Sequence, residues 1–139
     1  MKAMGDRARW VRRAGAGNVN ATEKVLMTAV RDESADVREA AAGNWNASEV
    51  VLMRALECAD RWVRVAGAGN RNATEAIAIV ASTDRVKRVR VAAARNIHLP
   101  VESAERLLRS RVREIAEALA QNEALPERIR VAARLKVGL

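Results

Sequence analysis

The chain has 139 residues, 50% of them hydrophobic, with a formal net charge of +8 and a pI near 11.1. It holds three tryptophans, no phenylalanine or tyrosine and a single cysteine, Cys58. This excludes an internal disulfide, a thiolate metal site and an aromatic core, and the basic excess points to acidic partners: nucleic acid, an anionic membrane or an acidic protein. No segment reaches the length of a membrane span, and Met1-Lys2-Ala3-Met4 carries no apolar signal region, so the expectation is a single cytoplasmic domain over 1–139 without membrane insertion.

The elements follow a fixed interval. Asparagine returns every 26 residues, at Asn18, Asn44, Asn70, Asn96 and Asn122. A period of this size predicts stacked units of one supersecondary motif. The units fall approximately at 6–31, 32–57, 58–83, 84–109 and 110–135, each reading as two short helices. In the first unit Val11, Ala14 and Asn18 share one helical face, and Thr22 reads as the N-cap of a second helix burying Val25, Leu26, Ala29 and Val30. The second unit repeats this with Val37-Arg38, Ala40, Ala42 and Asn44, then Ser48 before Val51, Leu52, Ala55 and Leu56. The third carries Val63-Arg64, Ala66, Ala68 and Asn70, with Thr74 as the cap.

In the fourth unit Val89-Arg90, Ala92, Ala94 and Asn96 lead to Leu99-Pro100, and Ala104, Leu107 and Leu108 form the buried stripe. The fifth weakens to Ile115-Ala116, keeps Ala118, Ala120 and Asn122, and continues through Leu125-Pro126 to Ile129, Ala132 and Ala133. Pro100 and Pro126 suit the first turn of a helix. Leu135 to Leu139 read as a cap or frayed end. The alanine columns predict first helices lying side by side at close approach. Gly15, Gly17, Gly67 and Gly69 weaken those helices, so they are expected to be short or partly 3₁₀.

The block Val-Arg-x-Ala-x-Ala-x-Asn, best kept at 11–18, 37–44, 63–70 and 89–96, resembles the leucine-rich repeat variant family. The Val-Arg pair with a preceding aspartate (Asp6, Asp32, Asp84) is also similar to HEAT-type helical repeats. The resemblance implies an all-α solenoid of five two-helix repeats, alternating α and 3₁₀ helices in a right-handed superhelix, and a binding scaffold with no named ligand. A cysteine cluster that holds an iron–sulfur centre in one member has no counterpart here, so that activity does not carry over.

Several columns offer themselves as sites. The asparagines can read a ligand or satisfy backbone groups at a turn, and the second reading is favoured. The arginines Arg12, Arg38, Arg64 and Arg90 can line a phosphate surface, or form a ladder with Asp6, Asp32, Asp60 and Asp84; the ladder is favoured. Trp10 and Trp62 share a column with Asp36, Arg88 and Glu114, and Trp45 shares one with Val19, Arg71, Ile97 and Glu123. Columns that accept charge are exposed columns, so these tryptophans, with Arg9 and Arg61 beside them, read as partner-binding anchors or as rings lying flat over aliphatic stems.

Arg7, Arg85, Arg111, Arg9, Arg61, Lys87, Arg113 and Arg88 decorate one edge at the first-helix starts. A cation there opposes the helix dipole, so stability does not explain it. His98 stands in a turn column with Asn20, Asn46 and Asn72, and no catalytic constellation or phosphate-cradling loop is evident. The sequence therefore predicts a non-enzymatic scaffold with no cofactor, metal or small-molecule substrate, binding a protein. The alternative is nucleic acid held through phosphate contacts.

Overall fold

The computed structural model describes the backbone of residues 2–138 and the side chains of residues 7–138. Ten α-helices and no strand are found among the described residues. The expected 3₁₀ elements are absent among them: every first helix is α-helical, because i to i+4 bonds persist where the glycines were expected to loosen the turn. Among the described residues no helix is long and apolar enough to cross a membrane.

The chain divides into two compact units, 1–72 and 73–139. In the first, α1 (Lys2–Ala16), α3 (Ala35–Gly43) and α5 (Arg61–Ala68) pack in succession as one layer. Helices α2 (Glu23–Ala29) and α4 (Glu49–Leu56) form a second layer against them. In the second unit α7 (Lys87–Arg95) and α9 (Arg113–Gln121) form one layer, and α6 (Glu75–Ser82), α8 (Val101–Leu108) and α10 (Glu127–Val137) form the other. Each helix start from α3 onward keeps the interval of the asparagine column.

The cap residues act as the sequence suggests, with differences. Thr22 Oγ1 accepts from the Val25 N–H at 3.3 Å and Ser48 Oγ from Val51 at 3.5 Å. Thr74 stands at the same position, but its hydroxyl is buried without a partner. Pro100 and Pro126 occupy the N-cap itself rather than the first turn. Helix α10 continues through Leu135 to Val137 and stops at Gly138, whose φ of 77° is the left-handed conformation glycine tolerates. Of the expected cap or frayed end, the described part is helix closed by a cap at Gly138, and Leu139 lies outside the described residues.

Burial follows the predicted faces with a shift of register. Val37, Val63, Val89 and Ile115 are buried, but Val11 is 66% exposed. Leu26 is buried and the adjacent Val25 is not. Ala16, Ala42, Ala68 and Ala94 are buried, whereas Ala14 is exposed and Ala40, Ala66 and Ala92 are half-buried. The close approach runs through the next column instead: Ala41, Gly67, Ala93 and Leu119 are buried. A Cβ on Gly67 would stand 3.0 Å from the Ala55 Cβ, so α5 lies on α4 with no room to spare.

The asparagines form a ladder. Each Oδ1 accepts a main-chain N–H two residues on, closing an Asx turn: Asn20 to Asn18 and Asn46 to Asn44 at 2.8 Å, His98 to Asn96 at 2.6 Å. From Asn44 on the amides donate backward, though that of Asn96 reaches only the Ala73 carbonyl, at 3.0 Å. The Asn44 Nδ2 group reaches the Ala16 carbonyl at 2.8 Å and the Asn18 carbonyl at 2.9 Å, 26 residues back. Asn70 binds the Ala42 and Asn44 carbonyls, and Asn122 those of Ala94 and Asn96, in the same way. A second ladder, missed in the sequence, lies two residues on: Asn46 donates to the Val19 and Ala21 carbonyls and Asn72 to those of Trp45 and Ala47.

The arginine column forms the expected ion pair at Arg12. Arg12 holds Asp32 in a two-pronged contact at 2.7 and 3.1 Å, and this keeps the Asp32 carboxyl below its ordinary range. Three of its members share a further role. Arg38 Nη1 donates to the Asp32 and Glu33 carbonyls, Arg64 to those of Cys58 and Ala59, and Arg90 to that of Asp84. These carbonyls follow the preceding helix, where a cation complements the dipole. Asp60 acts as the N-cap of α5, accepting from Trp62 and Val63. The side chain of Asp6 lies outside the described residues.

Cys58 occupies the place in the period that Asp32 holds one turn earlier. The Arg38 Nε–H, whose counterpart on Arg12 meets Asp32, is buried with no hydrogen-bond partner. Cys58→Asp is therefore expected to supply the missing acceptor and stabilise the protein by about 1 kcal/mol, the usual net value of one such bond. Thermal unfolding checks this: the melting temperature should rise, and the gain should vanish in an Arg38→Ala background.

Candidate partner-binding surface

All three tryptophans lie in the first unit and all are exposed: Trp10 59%, Trp45 69% and Trp62 41%. None fills a cavity in the core. Trp10 is on α1 and Trp62 on α5, with Asp36 of α3 in the same column between them. Two helix spacings put their backbones roughly 16–20 Å apart. Trp45 lies in the turn after α3, next to the exposed Val19 of the preceding turn.

Each indole carries an arginine over its face. Arg13 stands 5.7 Å from the Trp10 ring centre, Arg61 5.4 Å from Trp62 and Arg71 4.4 Å from Trp45. These are cation–π distances. The expected pairing of Trp62 with Arg61 is present. For Trp10 the cation over the ring is Arg13, one helical turn on, while Arg9 reaches the Asp36 carboxylate at 3.9 Å. Arg13 and Arg71 were missed in the sequence. Signals for both existed: Arg13 is at i+3 from Trp10, and Arg71 is the next member of the Trp45 column. The result is an amphipathic surface of flat rings and planar cations held apart from the core.

The basic edge is split between the units. Arg7, Arg9 and Arg61 belong to the first, and Arg85, Lys87, Arg88, Arg111 and Arg113 to the second. In the second unit the five converge on the starts of α7 and α9, helices packed directly on each other. Lys87 and Arg113 meet carboxylates: Lys87 Nζ lies 2.8 Å from Glu114 and Arg113 Nε 2.7 Å from Glu117. The Lys87 hydrogen bond holds the Glu114 carboxyl below its ordinary range. Arg85 and Arg111, in the turns before the two helices, are exposed, and neither forms an ion pair among the described residues.

Other features bear less chemistry. A groove of about 440 Å³ is lined by Met27 and Arg31, from α2 and the turn after it, and by Val50, Met53 and Arg54 of α4. The imidazole of His98 is exposed, and its backbone N–H serves the Asn96 turn. Among the described residues no group of three or more His, Cys, Asp or Glu could hold a metal ion. Comparison with protein-family models, with curated proteins and with solved structures finds no match to the chain.

Proposed function

We propose that this chain is a non-catalytic helical-repeat scaffold, a solenoid of five two-helix repeats resembling the leucine-rich repeat variant and HEAT types, that binds a protein partner through its irregular columns. One observation carries the reading: three tryptophans, 41–69% exposed and each faced by an arginine, stand at positions where other repeats carry Asp, Glu, Arg, Val or Ile. The helices form equally well with those residues, so the rings answer to something other than folding. Tryptophan and arginine are the residues most enriched among energetic anchors of interfaces.

The test is partner capture with nuclease-treated extract and purified protein carrying Trp10→Ala and Trp62→Ala. A partner retained by the wild type should bind the double variant at least about 30-fold more weakly, the effect of losing one anchor of about 2 kcal/mol. The melting temperature should change little, because both residues are exposed and neither belongs to the core. Undiminished capture by the folded double variant would overturn the assignment of these residues.

A further inference from the structure

We propose that the second unit carries a separate nucleic-acid site, a sequence-independent phosphate clamp whose two prongs are Arg85 and Arg111. It lies on other helices than the tryptophan surface and stands independently of the protein-binding reading. Arg85 and Arg111 hold the same place in successive turns, just ahead of α7 and α9. The salt bridge from Lys87 to Glu114, at 2.8 Å, links the two helix starts and fixes them as neighbours. Adjacent helices lie about 8–10 Å apart. That spacing lets the two guanidiniums meet separate phosphates of one nucleic-acid backbone, each of which carries a negative charge.

The chemistry favours this occupant. Arginine presents a planar fork that binds a phosphate through two parallel hydrogen bonds. Both prongs are exposed and lack a carboxylate partner among the described residues, whereas Lys87 and Arg113 spend their charge on Glu114 and Glu117. The unit contains no tryptophan, phenylalanine or tyrosine, and its one imidazole, His98, follows the far end of α7, so bases have no ring to stack on beside the two prongs. Contact is then confined to the sugar–phosphate backbone, which positions without reading sequence.

The split between paired and unpaired cations sets the test. Binding of a labelled duplex DNA is measured by anisotropy between 50 and 200 mM salt on the full chain. The wild type should bind with a log–log salt slope of about −2, close to −0.9 for each neutralised phosphate. Arg85→Ala with Arg111→Ala should abolish most of that slope and weaken binding at least about tenfold at low salt. Glu114→Gln releases Lys87 and should steepen the slope by about one. Arg95→Ala removes the same charge from the opposite end of α7 and should leave the slope nearly intact.

The proposal is overturned if the wild type fails to bind at 50 mM salt. It is equally overturned if Arg95→Ala weakens binding as much as Arg85→Ala, which would make the attraction diffuse. Equal binding to phosphatidylserine vesicles or to a polyglutamate peptide would overturn the choice of nucleic acid. All four substituted residues are exposed, and unchanged thermal unfolding confirms that each variant folds.

Discussion

Asn70→Ala should destabilise the protein by about 3 kcal/mol, although it deletes no apolar contact. Asn70 is 8% exposed and makes three bonds: its amide donates to the Ala42 and Asn44 carbonyls, each at 2.8 Å, and its Oδ1 accepts the Asn72 N–H at 2.8 Å. Alanine leaves two acceptors and one donor in a place water reaches poorly. Each such group costs about 1–3 kcal/mol when fully orphaned, less when water or a small shift relieves it. Asn70→Asp is the sharper control. It preserves shape and the Oδ1 acceptor but turns an oxygen towards two carbonyl oxygens, so it should be worse than alanine at neutral pH. Protonation restores one donor, so the deficit should shrink as pH falls. Urea unfolding of the three proteins at pH 7 and pH 4 measures this; an aspartate variant as stable as wild type at pH 7 would refute the ladder.

Leu52→Ala should have an effect at least as large, about 3–4 kcal/mol, for a different reason. Leu52 is fully buried on α4, which packs on α2, α3 and α5. Truncation loses the transfer free energy of three carbons and leaves a cavity, and the total in such cases runs about 2–5 kcal/mol. The upper half of that range is expected because the walls cannot close in. Helix α5 already touches α4 at Gly67, where even a methyl group would stand 3.0 Å from Ala55. Leu52→Met keeps the volume and should cost less than about 1.5 kcal/mol. Denaturant titration distinguishes the cases; a loss under 1 kcal/mol for Leu52→Ala would mean that α4 and α5 do collapse together.

The sequence was most informative where a residue acts on its own turn. Thr22 and Ser48 cap helices they adjoin, and the Asx turns at Asn18 and Asn44 close within two residues. Such contacts depend on local dihedrals that residue type constrains directly. It was less informative about which helical neighbour meets the next layer. Ala14 and Ala16 form equally regular columns, yet only the Ala16 column is buried throughout the first four copies, and the Ala41 and Gly67 column that makes the close approach varies in composition. A helix rotated by one residue moves its buried stripe by about 100°, which spacing alone does not resolve.

The candidate surface followed the same division. Exposure of Trp10, Trp45 and Trp62 was legible because their columns also hold charged residues. Of the cations over the rings only Arg61 on Trp62 was, since a long arginine has many neighbours within reach. Arg9 goes to Asp36 and Arg13 takes the ring of Trp10. The pairing of Lys87 with Glu114 runs out of register with the period, 27 residues apart, so no column shows it.

Trp45 illustrates what the two ladders permit. Its carbonyl accepts the Asn72 amide at 2.6 Å while its indole is 69% exposed. Val19 stands likewise, its carbonyl bound by Asn46 and its side chain almost wholly solvated. The rungs fasten onto the main chain, which every residue type supplies alike. A position can therefore serve the frame with its backbone and be rewritten in its side chain without loosening the frame. Exposed side chains on such a frame can be exchanged one at a time, and an engineer could graft a binding row at Val19, Trp45 and Arg71 while the asparagines stay in place.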